Sequence, residues 1–122
     1  MSETAEVVQL DNRAEWRDWL ERNHETAAGV WLVTWKKPTG NPRVDYDAAV
    51  EDALRFGWVD SKSRSVDDER TSLYFTPRKP KSAWSESNVA RIEKLAAAGL
   101  LHAAGRRAVD EAKRCGTWPS SR

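Results

Sequence analysis

Between Gly57 and Asn88 the chain reads GWVDSKSRSVDDERTSLYFTPRKPKSAWSESN, a run that crowds basic, hydroxyl and aromatic residues ahead of one helix start. Its densest part is Arg78, Lys79, Lys81, Ser82, Trp84, Ser85 and Asn88. A helix N-terminus presents unpaired backbone N–H groups and the positive end of a dipole, and the two together hold anions. Serine hydroxyls and Arg78 would add charge-assisted bonds, Trp84 a flat wall, and Arg91, one turn further on, can return to the same face. The plainer interpretation is that one serine caps the helix, Trp84 packs inward and the lysines are solvated. Capping accounts for one serine, but not for both serines and the basic cluster.

A second constellation is Trp58, Asp60 and Lys62. As alternate residues of one strand they are expected on a single face. There Asp60 could act as a base or orient Lys62, and Trp58 could stack on a ligand. The structural alternative puts Trp58 in the core and pairs Asp60 with an arginine. Other chemistry finds little support. His24 and His102 have no partner at metal-ligand spacing, and one cysteine, Cys115, cannot complete a zinc site, so no metal and no cofactor is expected. No Gly-rich phosphate loop or nucleophile elbow occurs.

The elements that must position these residues can be read from periodicity. Residues 1–10 form an arm, although Val7, Val8 and Leu10 could make a short edge strand. Asn12 with Glu15 forms a capping box, followed by a helix with Trp16, Trp19 and Leu20 on one face. Val30 to Trp35 is a strand apolar on nearly both faces, the mark of a strand covered by helices on each side. After a Pro/Gly loop, Asp45 caps a second helix with Tyr46, Ala49, Val50, Ala53 and Leu54 as its buried stripe, closed by Gly57. Trp58 to Lys62 makes a second strand, and strand–helix–strand order implies that it pairs in parallel with the first. The polar stretch Ser63 to Glu69 turns the chain into an antiparallel third strand, Thr71 to Thr76. A third helix starts at Ser82 or Ser85, carries Val89, Ile92 and Leu95, and stops at Gly99. A fourth runs from about His102 to Cys115, after which Trp118 folds back. The expected fold is α+β: a small three-stranded mixed β-sheet packed by about four α-helices, a single domain over residues 11–118 with a tail at 119–122.

The 122 residues suffice for one core without staples. Seven tryptophans replace scarce aliphatic bulk, so most belong to the core and one or two could serve a ligand. A lone cysteine excludes an intrachain disulfide and fits a reducing, cytoplasmic setting. No segment is apolar enough for a signal peptide or a membrane span, so no membrane insertion is expected. The net charge of +1 conceals an asymmetry. Residues 1–60 carry twelve acids against seven bases (−5), and residues 61–122 thirteen bases against seven acids (+6). The basic half favours an anionic partner. The near-neutral total argues against nucleic acid, whose bases could otherwise stack on Tyr74, Phe75 or Trp84.

Several ordered blocks resemble the YdeI/OmpD-associated, or bacteriocin-protection, family. They are Trp16 with Trp19-Leu20; Val30-Trp31-Leu32 followed by Lys36-Lys37; Tyr46 through Asp60, ending Ala53-Leu54-Arg55-Phe56-Gly57-Trp58-Val59-Asp60; Phe75-Thr76-Pro77-Arg78; Ser82-Ala83-Trp84-Ser85 with Asn88; and Ala112-Lys113 with Gly116 and Trp118. The resemblance implies a small bacterial cytoplasmic protein with a stress or antimicrobial-resistance role. It brings no reaction and no catalytic residues. The expected function is therefore binding of an anionic, partly aromatic small molecule at the start of the third helix. A small enzyme using Asp60 and Lys62 is the alternative, followed by a protein–protein adaptor and, last, a nucleic-acid binder.

Overall fold

The computed structural model describes residues 6–79 and 84–119. Along the chain the elements are β1 (Glu6–Gln9), α1 (Arg13–Asn23), β2 (Val30–Trp35), a single 3-10 turn (Lys37–Thr39), α2 (Tyr46–Arg55), β3 (Trp58–Ser65), β4 (Arg70–Pro77), α3 (Glu86–Ala97) and α4 (Ala103–Cys115). The fold is α+β, a single domain with four helices and a mixed sheet of order β1-β2-β4-β3.

Local signals account for the helix starts. Asn12 Oδ1 accepts from the Glu15 N–H at 3.0 Å, while the Glu15 carboxylate accepts from the Asp11 N–H at 3.0 Å. Two orphan donors at the entrance to α1 are thereby satisfied. Ser85 caps α3 by accepting from the Asn88 N–H at 3.2 Å. Asp45 occupies the cap position of α2, but its carboxylate accepts from Arg43 instead.

The sheet has four strands, not three. The additional one is the edge strand β1, within the expected arm and at Val7 and Val8, where a short edge strand is the alternative expectation, and it runs parallel to β2 with Val7 opposite Trp31. The expected β2–β3 pairing does not occur, because β4 lies between the two and is antiparallel to both. Composition explains the order. Leu73 and Phe75 give β4 the apolar content a central strand needs, whereas β3 beyond Asp60 is exposed and polar, as an edge tolerates. β3 is also longer than expected, continuing through Ser65, so only residues 66–69 turn the chain.

Helix α2 is the keystone, buried on two sides. Ala49 and Ala53 join Trp16, Trp19, Trp58, Val30, Leu32 and Phe75 in a core against one sheet face. The small alanines let Trp16 approach closely enough for its indole N–H to reach the Ala49 carbonyl at 3.0 Å. On the opposite side Val50 and Leu54 meet Trp84, Val89, Ile92, Leu95 and Val109 from the α3–α4 region. Tyr46 leaves the expected stripe, because it is half exposed and its hydroxyl donates to Asp60 at 3.1 Å. Where α4 crosses the end of α2 the backbones nearly touch: a Cβ on Gly105 would lie 2.4 Å from the Arg55 carbonyl oxygen.

Candidate functional site

The structure disperses the residues that sequence periodicity groups together. Trp58 is buried in the sheet core, its indole N–H donating to the His24 carbonyl at 3.3 Å. Asp60 shares that helix-covered face and accepts from Tyr46. Lys62 does not. A β-bulge lies between Asp60 and Lys62, so Asp60 pairs with Phe75 and Lys62 with Tyr74, its neighbour on the other face. One extra residue, Ser61, breaks the alternation and turns Lys62 outward. The bulge therefore separates Asp60 from Lys62, and the shared constellation is not formed.

At the start of α3, Ser82 and Lys81 lie outside the described residues. Ser85 acts as the cap. The Asn88 side-chain oxygen accepts from Arg91 at 3.0 Å, and Arg91 also donates to Asp47 on α2 at 2.9 Å. The Arg78 guanidinium lies 3.9 Å over the Trp84 ring, and Trp84 meets Trp118 edge-on at 5.1 Å. Burial pushes the Arg78 guanidinium below the ordinary arginine pKa. The two ends of the expected site adjoin at the backbone, where the Arg78 N–H donates to the Gly57 carbonyl at 2.9 Å beside Trp58, and both Asp60 and Arg91 bond to side chains of α2. Burial and then the charge and hydrogen bond of Asp60 raise the Tyr46 pKa, and Arg91 offsets part of that rise.

A broad concave surface lies elsewhere, on the sheet face away from the helices. It is a groove of about 750 Å³ lined by Trp31, Tyr74, Lys62, Arg64, Arg70 and Ser72, among others, and every lining residue comes from a strand or from the β3–β4 turn. Helices are expected over both faces of β2, but Trp31, Val33 and Trp35 form part of this open side. Trp31 and Tyr74 are cross-strand partners with ring centroids 4.9 Å apart. Lys62 Nζ sits 5.3 Å from the Tyr74 ring, Arg64 Cζ 4.7 Å from Trp31 and Arg70 Cζ 6.0 Å from Trp35. Tyr74 lies across Gly29, where any Cβ would come within 2.4 Å of its hydroxyl. Val33 and Ser72 are buried beneath the larger side chains.

Electrostatics favour this face. Arg70 donates to Asp67 through two nitrogens and to Gln9, so its charge is largely answered. The side-chain bond from Arg70, with the Glu69 and Arg70 backbone N–H groups, holds the Asp67 carboxyl below its ordinary pKa. Lys62 and Arg64 form no salt bridge to any described residue, and no described carboxylate lines the groove. Two cations thus stand over aromatic rings with their charge available.

A further polar cluster has no counterpart in the sequence pattern. Asp52 on α2 is fully buried, accepting from Arg13 Nε at 3.0 Å and Arg13 Nη2 at 2.9 Å, with Arg17 at 3.6 Å and Arg55 at 4.0 Å. Arg13 also reaches Glu51, which pairs in turn with Lys94. The hydrogen bond to Asp52 is the largest influence on Arg13 and raises its pKa despite partial burial. Arg13, Asp52, Glu51 and Lys94 pair with one another and tie α1 to α2 and α3, whereas Arg17 Nε, at 3.6 Å, is too far from Asp52 for a hydrogen bond. Among the described residues no group of three or more His, Cys, Asp and Glu could hold a metal ion. His24 and His102 do meet, with rings 5.1 Å apart beside Phe56.

Fold and surface together define a small α+β domain with one helix-covered sheet face and one open aromatic–basic face. The chain belongs to the family described as a domain of unknown function (DUF8412), which matches residues 8–108. No curated protein and no solved structure matches it. No helix among the described residues is long and apolar enough to cross a membrane.

Proposed function

We propose that the protein binds an anionic, partly aromatic ligand, and that the open sheet face, not the start of α3, receives it. The observation that carries this reading is Lys62 and Arg64 poised over Tyr74 and Trp31 in a groove lined by no described carboxylate. Flat rings and available cations are the two halves of such recognition, since a ring stacks on the aromatics while its anionic group takes the cation. At the start of α3 three of the described groups are already engaged: Ser85 with Asn88, Asn88 with Arg91 and Arg91 with Asp47. The enzyme alternative loses its geometric basis, because Asp60 and Lys62 lie on opposite faces of the sheet. The resemblance to bacteriocin-protection proteins lends this binding a stress or antimicrobial-resistance setting.

Tryptophan-fluorescence titration with adenosine monophosphate and salicylate tests the assignment. Quenching should be lost in a Lys62→Glu, Arg64→Glu double variant and kept in Arg78→Ala, Ser85→Ala. The opposite pattern returns the site to α3. Wild-type protein that binds neither these probes nor any anionic polymer removes the reading altogether.

A further inference from the structure

We propose that the ligand of the open sheet face is single-stranded nucleic acid, an inference that rests on the binding role assigned to that face. A site for a small molecule normally encloses most of its ligand in a concavity. This one is a broad strip, bounded only by strands and one turn. It repeats a unit of one cation over one ring: Lys62 with Tyr74, Arg64 with Trp31 and Arg70 with Trp35. A single aromatic anion needs one such unit. A chain that alternates flat base and charged phosphate can use several in succession, the bases stacking on the rings as the cations swing to the phosphates.

The register sets the rings at two levels. Trp31 and Tyr74 are cross-strand partners and lie side by side under Arg64 and Lys62, while Trp35, paired with Arg70, lies further along β2. Trp31 and Trp35 are separated by roughly 13 Å at strand rise. That span exceeds one stacked base and suits a strand lying lengthwise.

The net charge of +1 does not oppose this, because the charge is unevenly placed. Lys62 and Arg64 stand on the open side without a salt bridge to any described residue, Arg70 beside them is paired with Asp67, and Asp52 and Glu51 are held by arginine and lysine on the helical side. Local field, not the total, decides where a polyanion settles. Double-stranded nucleic acid is a poorer fit, since its bases are already stacked and cannot reach the rings. Of the stacking residues read from sequence, only Tyr74 belongs to the groove, because Phe75 and Trp84 are buried.

The test is fluorescence anisotropy of the full chain with a labelled oligothymidylate and oligouridylate, each roughly 12 nucleotides long, within the ~4–16 nucleotide footprint of small single-strand-binding domains. Thymidine monophosphate and a duplex of equal length serve as competitors. The single strands should bind far more tightly than either competitor. With two or three phosphates neutralised, the salt slope for single strands predicts a loss of roughly 7- to 18-fold between 50 and 200 mM salt. Lys62→Glu with Arg64→Glu should abolish binding, and Trp31→Leu should weaken it by roughly tenfold, as loss of one base stack does. The unfolding midpoint of each variant separates lost binding from lost structure.

If the monophosphate competes as well as the oligomer, the polymer assignment is overturned and the binding role survives. The polymer assignment is equally overturned if the duplex competes as well as the single strand, or if Arg78→Ala abolishes binding and Lys62→Glu does not. If neither oligomer, monophosphate nor salicylate binds, both readings fall together.

Discussion

Arg13 and Asp52 form a pair of unequal burial, and that inequality predicts unequal damage. The Asp52 side chain is 0% exposed and the Arg13 side chain 42%. Arg13→Ala strands a carboxylate with no route to water, leaving Arg17 at 3.6 Å and Arg55 at 4.0 Å as partial substitutes. Removing one partner of a buried pair costs ~3–5 kcal/mol, and the neighbouring arginines bring the expectation here to about 3 kcal/mol. Asp52→Ala instead leaves arginines that can turn outward and hydrate, so the expected loss is nearer ~2 kcal/mol, as for two charge-assisted hydrogen bonds partly replaced by water. For a chain of this size the Arg13 variant should melt roughly 10 °C below wild type. Urea unfolding of the two single variants and the double variant supplies the cycle. The double variant should lose less than the sum of the singles, by ~1–2 kcal/mol, because no charge is stranded. Equal losses in the singles, or strict additivity in the double, would refute the view that Asp52 is held chiefly by Arg13.

Three further outcomes follow from the packing and the charges. Gly105→Ala would usually help a helix by about 1 kcal/mol, but its new methyl meets the Arg55 carbonyl at 2.4 Å. Calorimetry should therefore find a loss of roughly 1–3 kcal/mol, as for other overpacked sites. Ser85→Ala removes the cap of α3 and should cost ~1 kcal/mol, with faster amide exchange in the first turn. Burial pushes the Glu51 carboxyl up, but hydrogen bonds from Arg13 and Lys94 outweigh it and hold the group below its ordinary value of 4.5. A depressed folded value stabilises the protein above the unfolded pKa, and that contribution is lost as pH falls through the folded one. Glu51→Gln should accordingly flatten the pH dependence of the unfolding midpoint below about pH 4.5.

The helices are legible in the sequence because their signals are local. Asn12 with Glu15, Ser85 with Asn88 and the Ala49, Val50, Ala53, Leu54 stripe each involve residues within a turn or two of one another. Strand order is not legible, since whether β3 or β4 neighbours β2 depends on a comparison of two strands' apolar content, not on chain order. The candidate site fails for a sharper reason. Alternation joins Trp58, Asp60 and Lys62, but it cannot register one bulged residue. The groove does leave a trace in the letters: Trp31, Val33 and Trp35 give β2 a second apolar face, which periodicity alone assigns to helices that do not cover it. An apolar face paired in register with Lys62, Arg64 and Arg70 marks a surface, and the register is a tertiary fact. Asp52 stays hidden because its position on one helix says nothing of Arg13 on another.

The bulge at Ser61 gives β3 two phases. Up to Asp60 the even-numbered side chains look toward the helices, and beyond it they look toward open solvent. A related chain carrying the same letters with its extra residue moved to the far end of the strand would turn Lys62 and Arg64 against the hydrophobic layer and close the groove. Divergence within such a family can therefore erase or create the open face by shifting a single insertion, while residue-by-residue identity stays almost unchanged. Relatives that look alike when aligned can differ in function, and the position of the gap in β3 would be the place to see it.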